Sequence, residues 1–187
     1  MPLIECTLIE GYSALTRRLV SERLTDAACS AIGADANFVT VTIKEVAPEN
    51  YMRGRIQRAP AEAPLQPDQI VHLYLQAMEA RDLGAAVEFL GDTFEIICSG
   101  NRRFSTLAEF TDWAQPRYRS ISKTFLSTDV SFHGGDATVF CHGTLSGVWH
   151  DGSTFAGIRF VDRFALTDGR ITSQQIWNDM AEVISGS

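Results

Sequence analysis

Three of the six prolines in the chain lie between Ile56 and Pro67, in the segment IQRAPAEAPLQP, which has no apolar periodicity. Proline has no amide hydrogen to donate and restricts the residue before it, so this segment favours a semi-extended linker. The apolar pattern also differs on its two sides. The sequence therefore predicts two folded units, over 1–56 and 67–187, joined by a Pro/Ala-rich linker over 57–66.

The first unit has the pattern of a strand, a helix and a second strand, over 3–9, 14–32 and 38–46. Ser13 is suited to cap the helix at its start, and Gly33 is suited to end it. Strand, helix and strand within about 45 residues predict one right-handed βαβ crossover. A unit this small cannot bury both faces of its own sheet, so we expect the protein to be a homo-oligomer.

The second unit begins with helices and ends with strands. Helices are predicted over 68–80, 83–90 and 107–114, and strands over 93–98, 124–132, 137–149, 154–166 and 170–177. Turn residues separate the last four strands, as in antiparallel hairpins. The predicted fold class is therefore α+β: a βαβ unit followed by a unit in which a curved antiparallel sheet closes on helices.

Composition excludes several classes of partner. A net charge of -7 argues against nucleic-acid binding, which requires a surplus of Lys and Arg. No apolar run reaches the roughly 18 residues of a membrane helix, and the first residues carry acids where a signal peptide needs Lys or Arg, so we expect a cytoplasmic protein. The four cysteines are widely spaced and have no His at ligand spacing, so neither a metal nor another cofactor is expected.

The segments PLIECTLIEGYS and FVTVTIKEVAPENY, with the helix between them, resemble the 4-oxalocrotonate tautomerase family over residues 2–52. The resemblance implies that removal of Met1 leaves Pro2 as an N-terminal secondary amine that acts as the catalytic base. An α-amino group titrates near pH 8, close to where a general base works best. By position, the pocket aromatic of the family falls on Tyr51, and its two substrate-binding arginines fall on Tyr12 and Thr40.

Both arginines of the family are therefore replaced in this chain. Arg53 or Arg55, just after the second strand, could supply the missing charge from a neighbouring subunit. The alternative interpretation is that Pro2 only permits removal of Met1. The match along the whole unit favours catalysis.

The segments HLYLQAMEARDLGAAVEFLGD and GIRFVDRFALTDGRITSQQIW resemble the SnoaL-like and ketosteroid isomerase superfamily, over residues 67–184. The resemblance implies a cone-shaped α+β barrel that holds an apolar small molecule. It places Asp162 where SnoaL-like cyclases have a functional acid, and Tyr74 where ketosteroid isomerases have an oxyanion-donating tyrosine. The base and the protonated acid of those isomerases fall on Cys98 and Arg159, which does not support steroid isomerisation.

The strand around Asp162 places this acid on an apolar face. Four apolar residues share that face by the period of two: Ile158, Phe160, Phe164 and Leu166. Desolvation would raise the pKa of such a carboxyl group and suit it to move protons. The alternative is a structural Asp, paired with Arg163 or with a neighbouring strand. His142 and Trp177 are further candidates to line the pocket, although the pattern favours a hydrogen-bonded inner-strand His and a core Trp that closes the cone.

Three functional hypotheses follow. In the first, Pro2 transfers a proton on a small enolisable carbonyl compound, and the cone binds or processes a related apolar ligand. In the second, Asp162 deprotonates a polyketide-like ketone for cyclisation or dehydration, and the first unit serves assembly. The third is a non-catalytic protein that binds a small molecule and oligomerises, for which the missing arginines are the best argument. Under each hypothesis we expect a homo-oligomer that assembles through both units.

Overall fold

The computed structural model describes residues 1–185, which divide into two compact units, residues 1–64 and residues 65 onward. The division falls within the segment expected to be a linker. The first unit contains a small parallel sheet and the second a large, mainly antiparallel sheet with helices. The α+β class is therefore confirmed. None of the described helices is long and apolar enough to cross a membrane.

The first unit is the predicted βαβ crossover. It consists of β1 (Leu3–Ile9), α1 (Ala14–Ile32) and β2 (Thr40–Val46). The Ser13 hydroxyl caps α1 by accepting from the Thr16 amide at 3.0 Å, and Gly33 ends the helix in the left-handed conformation with φ 66°. The two strands are parallel and in register from one end to the other.

Two features of this unit differ from the sequence prediction. The second strand starts at Thr40 rather than at 38, because Asp35 caps a 3-10 turn over Ala36–Phe38 and so uses the residues before it. A short hairpin, β3 (Met52–Arg53) and β4 (Ile56–Gln57), was not predicted. Strands of two residues are too short to show the alternation of apolar and polar residues by which strands are predicted.

No side chain among residues 1–64 is fully buried. The half-buried residues of β1, such as Ile4 and Cys6, alternate with exposed ones, and Leu3 keeps 62% of its surface accessible. Leu15 and Ile32 of the helix are also largely exposed. The βαβ unit of a single chain thus leaves apolar side chains on both its sheet and its helix accessible to solvent.

The second unit places its helices over a curved sheet. Its elements are α2 (Pro67–Glu79), α3 (Leu83–Val87), β5 (Leu90–Cys98), β6 (Arg102–Phe104), α4 (Leu107–Ala114), β7 (Ser120–His133), β8 (Asp136–Val148), β9 (Thr154–Thr167), β10 (Arg170–Asn178) and α5 (Met180–Ser185). The strand order is β6-β5-β10-β9-β8-β7, and only β5 and β10 pair in parallel. Neither β6 nor α5 was predicted, and some predicted boundaries are wrong by up to four residues.

Bulges and glycines curve the long strands. The pairing of β7 with β8 shifts register between Phe125 and Ser127, and that of β8 with β9 shifts between Leu145 and Gly147. A Cβ atom at Gly143 would lie 1.9 Å from the backbone oxygen of Thr124, so the strands approach there more closely than any side chain permits. Such bends let the inner face of the sheet surround a cavity.

Candidate active site

A cavity of about 780 Å³ lies within the second unit, between the helices and the inner face of the sheet. Its walls are mainly apolar and aromatic, with contributions from Phe110, Trp113, Phe125, Leu145, Phe160 and Ile176. Its volume falls within the range of about 300 to 1,000 Å³ that is typical of small-molecule sites. The cavity is therefore suited to a largely apolar ligand of moderate size.

Asp162 lies in the wall of this cavity and is completely buried. As predicted, its neighbours on the inner face of β9, among them Phe160 and Phe164, are buried as well. The ammonium of Lys123, on β7, donates to Oδ2 of Asp162, and the side-chain amide of Gln174 lies 3.4 Å from the same oxygen. Within residues 1–185, the other oxygen, Oδ1, has no hydrogen-bond partner.

The environment of Asp162 makes its carboxyl group hold a proton more tightly than it would in water. Burial raises the pKa of the carboxyl group, and the Lys123 ammonium and the hydrogen bonds from Lys123 and Gln174 oppose that rise. A carboxyl group with a raised pKa is suited to accept a proton and return it near neutral pH. The cation beside Asp162 is Lys123 rather than Arg163, whose guanidinium lies 5.9 Å from the ring of Phe140.

Tyr74 contributes to the site only through Gln174. Its side chain is completely buried, its hydroxyl donates to Oε1 of Gln174 at 2.8 Å, and it does not line the cavity. Burial and, secondarily, the charge of Asp162 raise the pKa of Tyr74, so the phenol stays protonated. Tyr74 therefore orients the Gln174 amide, which in turn faces Asp162, and it does not reach a ligand in the cavity.

Lys123 is the residue that sequence reasoning missed. Its side chain is 20% exposed, and its Nζ atom lies 4.5 Å from the centroid of the Phe160 ring. The sequence did contain a signal for it, because Lys123 shares the more buried face of β7 with Ile121 and Phe125, by the period of two. A lysine on such a face faces the interior of the fold.

The mouth of the cavity carries arginines. Arg117 and Arg102 lie 3.7 Å and 5.6 Å from the ring centroid of Trp113, and Arg81 donates to the backbone oxygen of Arg119. In the part of the chain that the structure describes, no carboxylate is within ion-pair distance of Arg102 or Arg117. Three arginines, against one exposed acid of the cavity lining, Glu79, make the mouth locally positive in a chain whose net charge is -7. The mouth is therefore suited to attract an anionic group.

The thiols near the site are neutral. Burial raises the pKa of Cys98, which lines the cavity, to about 11, and that of Cys141, which pairs with Asp162 on the neighbouring strand, to about 12. Neither is therefore an activated nucleophile. Among the described residues, no group of three or more His, Cys, Asp or Glu side chains could hold a metal ion.

His142 and Trp177 do not line this cavity. On the inner face Asp162 pairs with Cys141, so the next residues along the strands, Val161 and His142, point outward. Trp177 pairs with Val161 on the same outer face, where it is 45% exposed. His142 and Trp177 line a shallower pocket of about 450 Å³ there, and Trp177 does not close the cone either.

The candidate residues of the first unit lie at two opposite ends of its sheet. The carbonyl of Pro2 accepts from the amide of Thr40 at 3.0 Å, so these two residues meet at the start of the parallel strands. Tyr12, Tyr51 and Arg53 follow the other ends of the strands, and a seven-residue strand is about 20 Å long. Within a single chain, Thr40 therefore lies beside Pro2, whereas Tyr12, Tyr51 and Arg53 lie far from it.

Comparisons with known proteins support both resemblances. The family model described as Tautomerase enzyme matches residues 2–55. The second unit is similar to an NTF2-like protein of unknown function from Burkholderia pseudomallei, with a TM-score of 0.53 and 17% identity over 64% of this chain and 95% of that one. No curated protein matches the sequence significantly.

Two further solved structures have a similar fold. TerC, crystallised with polyporic acid, has a TM-score of 0.53 and 14% identity, over 64% of this chain and 95% of that one. A candidate SnoaL-like polyketide cyclase from a Jannaschia species has a TM-score of 0.51 and 15% identity, over 68% of this chain and 95% of that one. The tautomerase resemblance of the first unit and the SnoaL-like, NTF2-like fold of the second are therefore confirmed.

Proposed function

We propose that this protein is an enzyme that transfers protons on an enolisable carbonyl compound, with the cavity of the second unit as its active site and Asp162 as its acid–base group. The observation that carries the proposal is the position of the Asp162 carboxylate. It is fully buried in the wall of an apolar cavity, and its Oδ1 atom has no hydrogen-bond partner among residues 1–185. An acid with a raised pKa and a free oxygen is suited to general acid–base catalysis.

The reaction requires one proton to leave a carbon next to the carbonyl group. Oδ1 of Asp162 accepts that proton, the C–H electron pair forms the carbon–carbon double bond of an enolate, and the carbonyl π pair moves onto oxygen. The ammonium of Lys123 stabilises the negative charge that develops there. Asp162 then returns the proton, to the same carbon or to another one. Tyr74 and Gln174 hold the carboxylate in place throughout.

The charge at the mouth of the cavity indicates the substrate class. Arg102 and Arg117 flank the ring of Trp113 and have no carboxylate partner among the described residues. A carboxylate on the substrate would supply that partner, while the aromatic walls would hold an apolar body. The best-suited substrate is therefore an apolar ketone that carries an anionic group, such as an arylpyruvate.

Exchange of substrate protons for deuterium tests the proposal. Phenylpyruvate in D₂O should lose its α-proton signal in the NMR spectrum faster with the protein present, and Asp162→Asn should slow this exchange by about a hundred- to ten-thousand-fold. Asp136→Asn, which changes an exposed Asp of β8, is the matched control and should leave the rate unchanged. Exchange at the normal rate in folded Asp162→Asn protein would refute this role, and binding without exchange would indicate a non-catalytic protein.

A second candidate places proton transfer on Pro2, and the tautomerase match over residues 2–55 favours it. This candidate requires removal of Met1, because only then does Pro2 carry a free secondary amine. It also requires a second copy of the chain if Tyr12 or Tyr51 is to reach the same substrate, since both follow the far ends of the strands.

Intact mass and a Pro2→Ala variant test this second candidate. The mass should show loss of Met1, and Pro2→Ala should lower the rate of keto–enol conversion while leaving the fold intact, because Pro2 precedes β1. Fully active protein that retains Met1 would exclude the Pro2 mechanism. Because Pro2 and Asp162 belong to different units, comparing the two variants assigns the activity to one of them.

A further inference from the structure

The chain contains two lysines, Lys44 and Lys123, against fourteen arginines. Lys44 is an ordinary surface residue: its side chain is 63% exposed and forms an ion pair with Glu5 at 3.1 Å. Lys123, by contrast, lines the cavity with only 20% of its side chain exposed and bonds to the buried Asp162. In a chain with fourteen arginines and only one other lysine, the cationic group at the reactive carboxylate is a lysine.

A purely structural ion pair with Asp162 would be better made by arginine. A guanidinium can donate to both carboxylate oxygens at once, whereas Lys123 reaches Oδ2 and leaves Oδ1 without a partner among residues 1–185. Lysine differs from arginine in a second respect, because its amine can lose a proton in a partly buried site and become a nucleophile. The choice of lysine at this position therefore points to chemistry at its nitrogen.

We propose that Lys123 forms a Schiff base with the carbonyl carbon of the ligand, with Asp162 as the group that accepts and returns the protons. The inference rests on the proposed function in one respect, the carbonyl ligand. It goes beyond that function because the ligand becomes covalently bound. Three observations place the groups: Lys123 faces the cavity, its nitrogen contacts Asp162, and the cavity is large enough for a ligand beside both.

The step balances without an added oxidant or reductant. Lys123 passes a proton to Asp162, and the lone pair of the neutral amine attacks the carbonyl carbon. The carbonyl π pair moves to oxygen, which takes the proton that the attacking nitrogen loses, and a neutral carbinolamine results. Protonation of that hydroxyl, which Asp162 assists, then releases one water as the C=N bond forms. The resulting iminium withdraws electrons more strongly than a ketone, so the adjacent C–H proton is lost more readily.

The surroundings of Lys123 favour this product. Its nitrogen lies 4.5 Å from the centroid of the Phe160 ring, whose face stabilises a cation, and the iminium keeps the positive charge at that place. The apolar walls contributed by Phe125 and Leu145 limit access of water, which would hydrolyse the C=N bond. Asp162 remains close enough to pair with the charged product.

Borohydride trapping in the full-length protein tests the inference. Phenylpyruvate is added as the probe, sodium borohydride reduces any iminium to a stable secondary amine, and peptide mapping by mass spectrometry locates the adduct. We expect modification of Lys123 to exceed that of Lys44 by about tenfold or more, since Lys44 has no cavity beside it. An adduct on the N-terminal amine would appear on a separate peptide and is scored separately.

Lys123→Arg is the matched variant, because it keeps a positive charge beside Asp162 and removes the nucleophile. We expect it to yield no adduct in the cavity and to lose about a hundredfold or more of the proton exchange on phenylpyruvate. Trp fluorescence verifies that the second unit remains folded, since all three tryptophans, Trp113, Trp149 and Trp177, belong to it. Folded Lys123→Arg protein with undiminished exchange would overturn the Schiff base.

The measurements separate failure of this inference from failure of the proposed function. Proton exchange that depends on Asp162, without any adduct on Lys123, would overturn the Schiff base and leave acid–base catalysis standing. Absence of both exchange and adduct in the wild-type protein would refute both proposals. Equal modification of Lys44 and Lys123 would mean that borohydride captured random surface imines, and it too would overturn the inference.

Discussion

Removing Lys123 should destabilise the second unit more than removing its partner Asp162. The two side chains differ in burial: that of Asp162 has no accessible surface, whereas 20% of the Lys123 side chain is exposed. Lys123→Met would leave a fully buried carboxylate whose closest remaining donor is the Gln174 amide, at 3.4 Å. Asp162→Asn would leave an ammonium that can turn toward water in the cavity.

These differences set the expected magnitudes. Loss of one partner from a buried ion pair costs about 3 to 5 kcal/mol, and Lys123→Met should fall in that range near pH 8. Asp162→Asn should cost about 1 to 3 kcal/mol, because the amide oxygen of asparagine can still accept from Lys123. The matched control, Arg103→Met, removes an exposed ion pair of the same unit, between Arg103 and Glu95, and should change the free energy of unfolding by less than about 1 kcal/mol.

The cost of Lys123→Met should also depend on pH. Burial raises the pKa of Asp162 in the folded protein above the value of about 3.9 that an Asp has in the unfolded chain. Between these two pKa values the folded state binds a proton that the unfolded state does not, and this proton stabilises the fold. The stabilisation from this proton is complete below the unfolded pKa and is lost as the pH rises through the folded one. Without Lys123 the folded pKa rises further, so the penalty should be smaller at about pH 5 than at about pH 8. The ionisable groups that face or influence Asp162 are Lys123 on β7, Tyr74 on α2, Cys98 on β5 and Cys141 on β8.

Urea unfolding followed by tryptophan fluorescence provides the measurement, because all the tryptophans lie in the second unit. Wild type, Lys123→Met, Asp162→Asn and Arg103→Met are compared at both pH values. A larger cost for Asp162→Asn than for Lys123→Met would refute the burial argument. So would a cost for Lys123→Met that stays constant between the two pH values.

Three further outcomes are expected. Gly143→Ala should destabilise the second unit by about 1 to 3 kcal/mol or more in urea unfolding, since its Cβ would lie 1.9 Å from the Thr124 oxygen. Gly135→Ala, with open space around it, should be neutral, and equal effects of the two variants would contradict the steric argument. Arg117→Ala should weaken binding of phenylpyruvate by about tenfold in calorimetry and leave an uncharged aryl ketone unaffected, and equal losses for both would contradict the anionic contact. Sedimentation at micromolar concentration should show a homo-oligomer, and a monomer of 20.6 kDa would contradict the expected assembly.

Local signals predicted most of the fold. Helix α4 has the predicted limits, 107–114, because Thr106 and Glu109 form a reciprocal capping box that fixes its first turn. The long strands were recognisable from their period of two and from the glycine turns between them. The missed strand β6 has three residues and is held by pairing with β5, which no local pattern reveals.

The site was predictable only in part, because its contacts cross the sheet. The apolar neighbours of Asp162 on its own strand placed it on the inner face. Its partner Lys123 lies 39 residues away on β7, and β8 runs between their strands, so the contact depends on strand order and on the curvature of the sheet. His142 was misplaced for a related reason: the register that pairs Cys141 with Asp162 decides which face it takes.

The charges of the two units indicate different ligands. In the first unit, the resemblance places the two substrate-binding arginines of the family on Tyr12 and Thr40, and only Thr40 lies beside Pro2. In the second unit, Arg102 and Arg117 stand at the mouth of a cavity that also holds an amine and a carboxylate. An anionic ketone is therefore better suited to the second unit. Chemistry at Pro2 would act on an uncharged carbonyl compound unless another subunit supplied the missing cation.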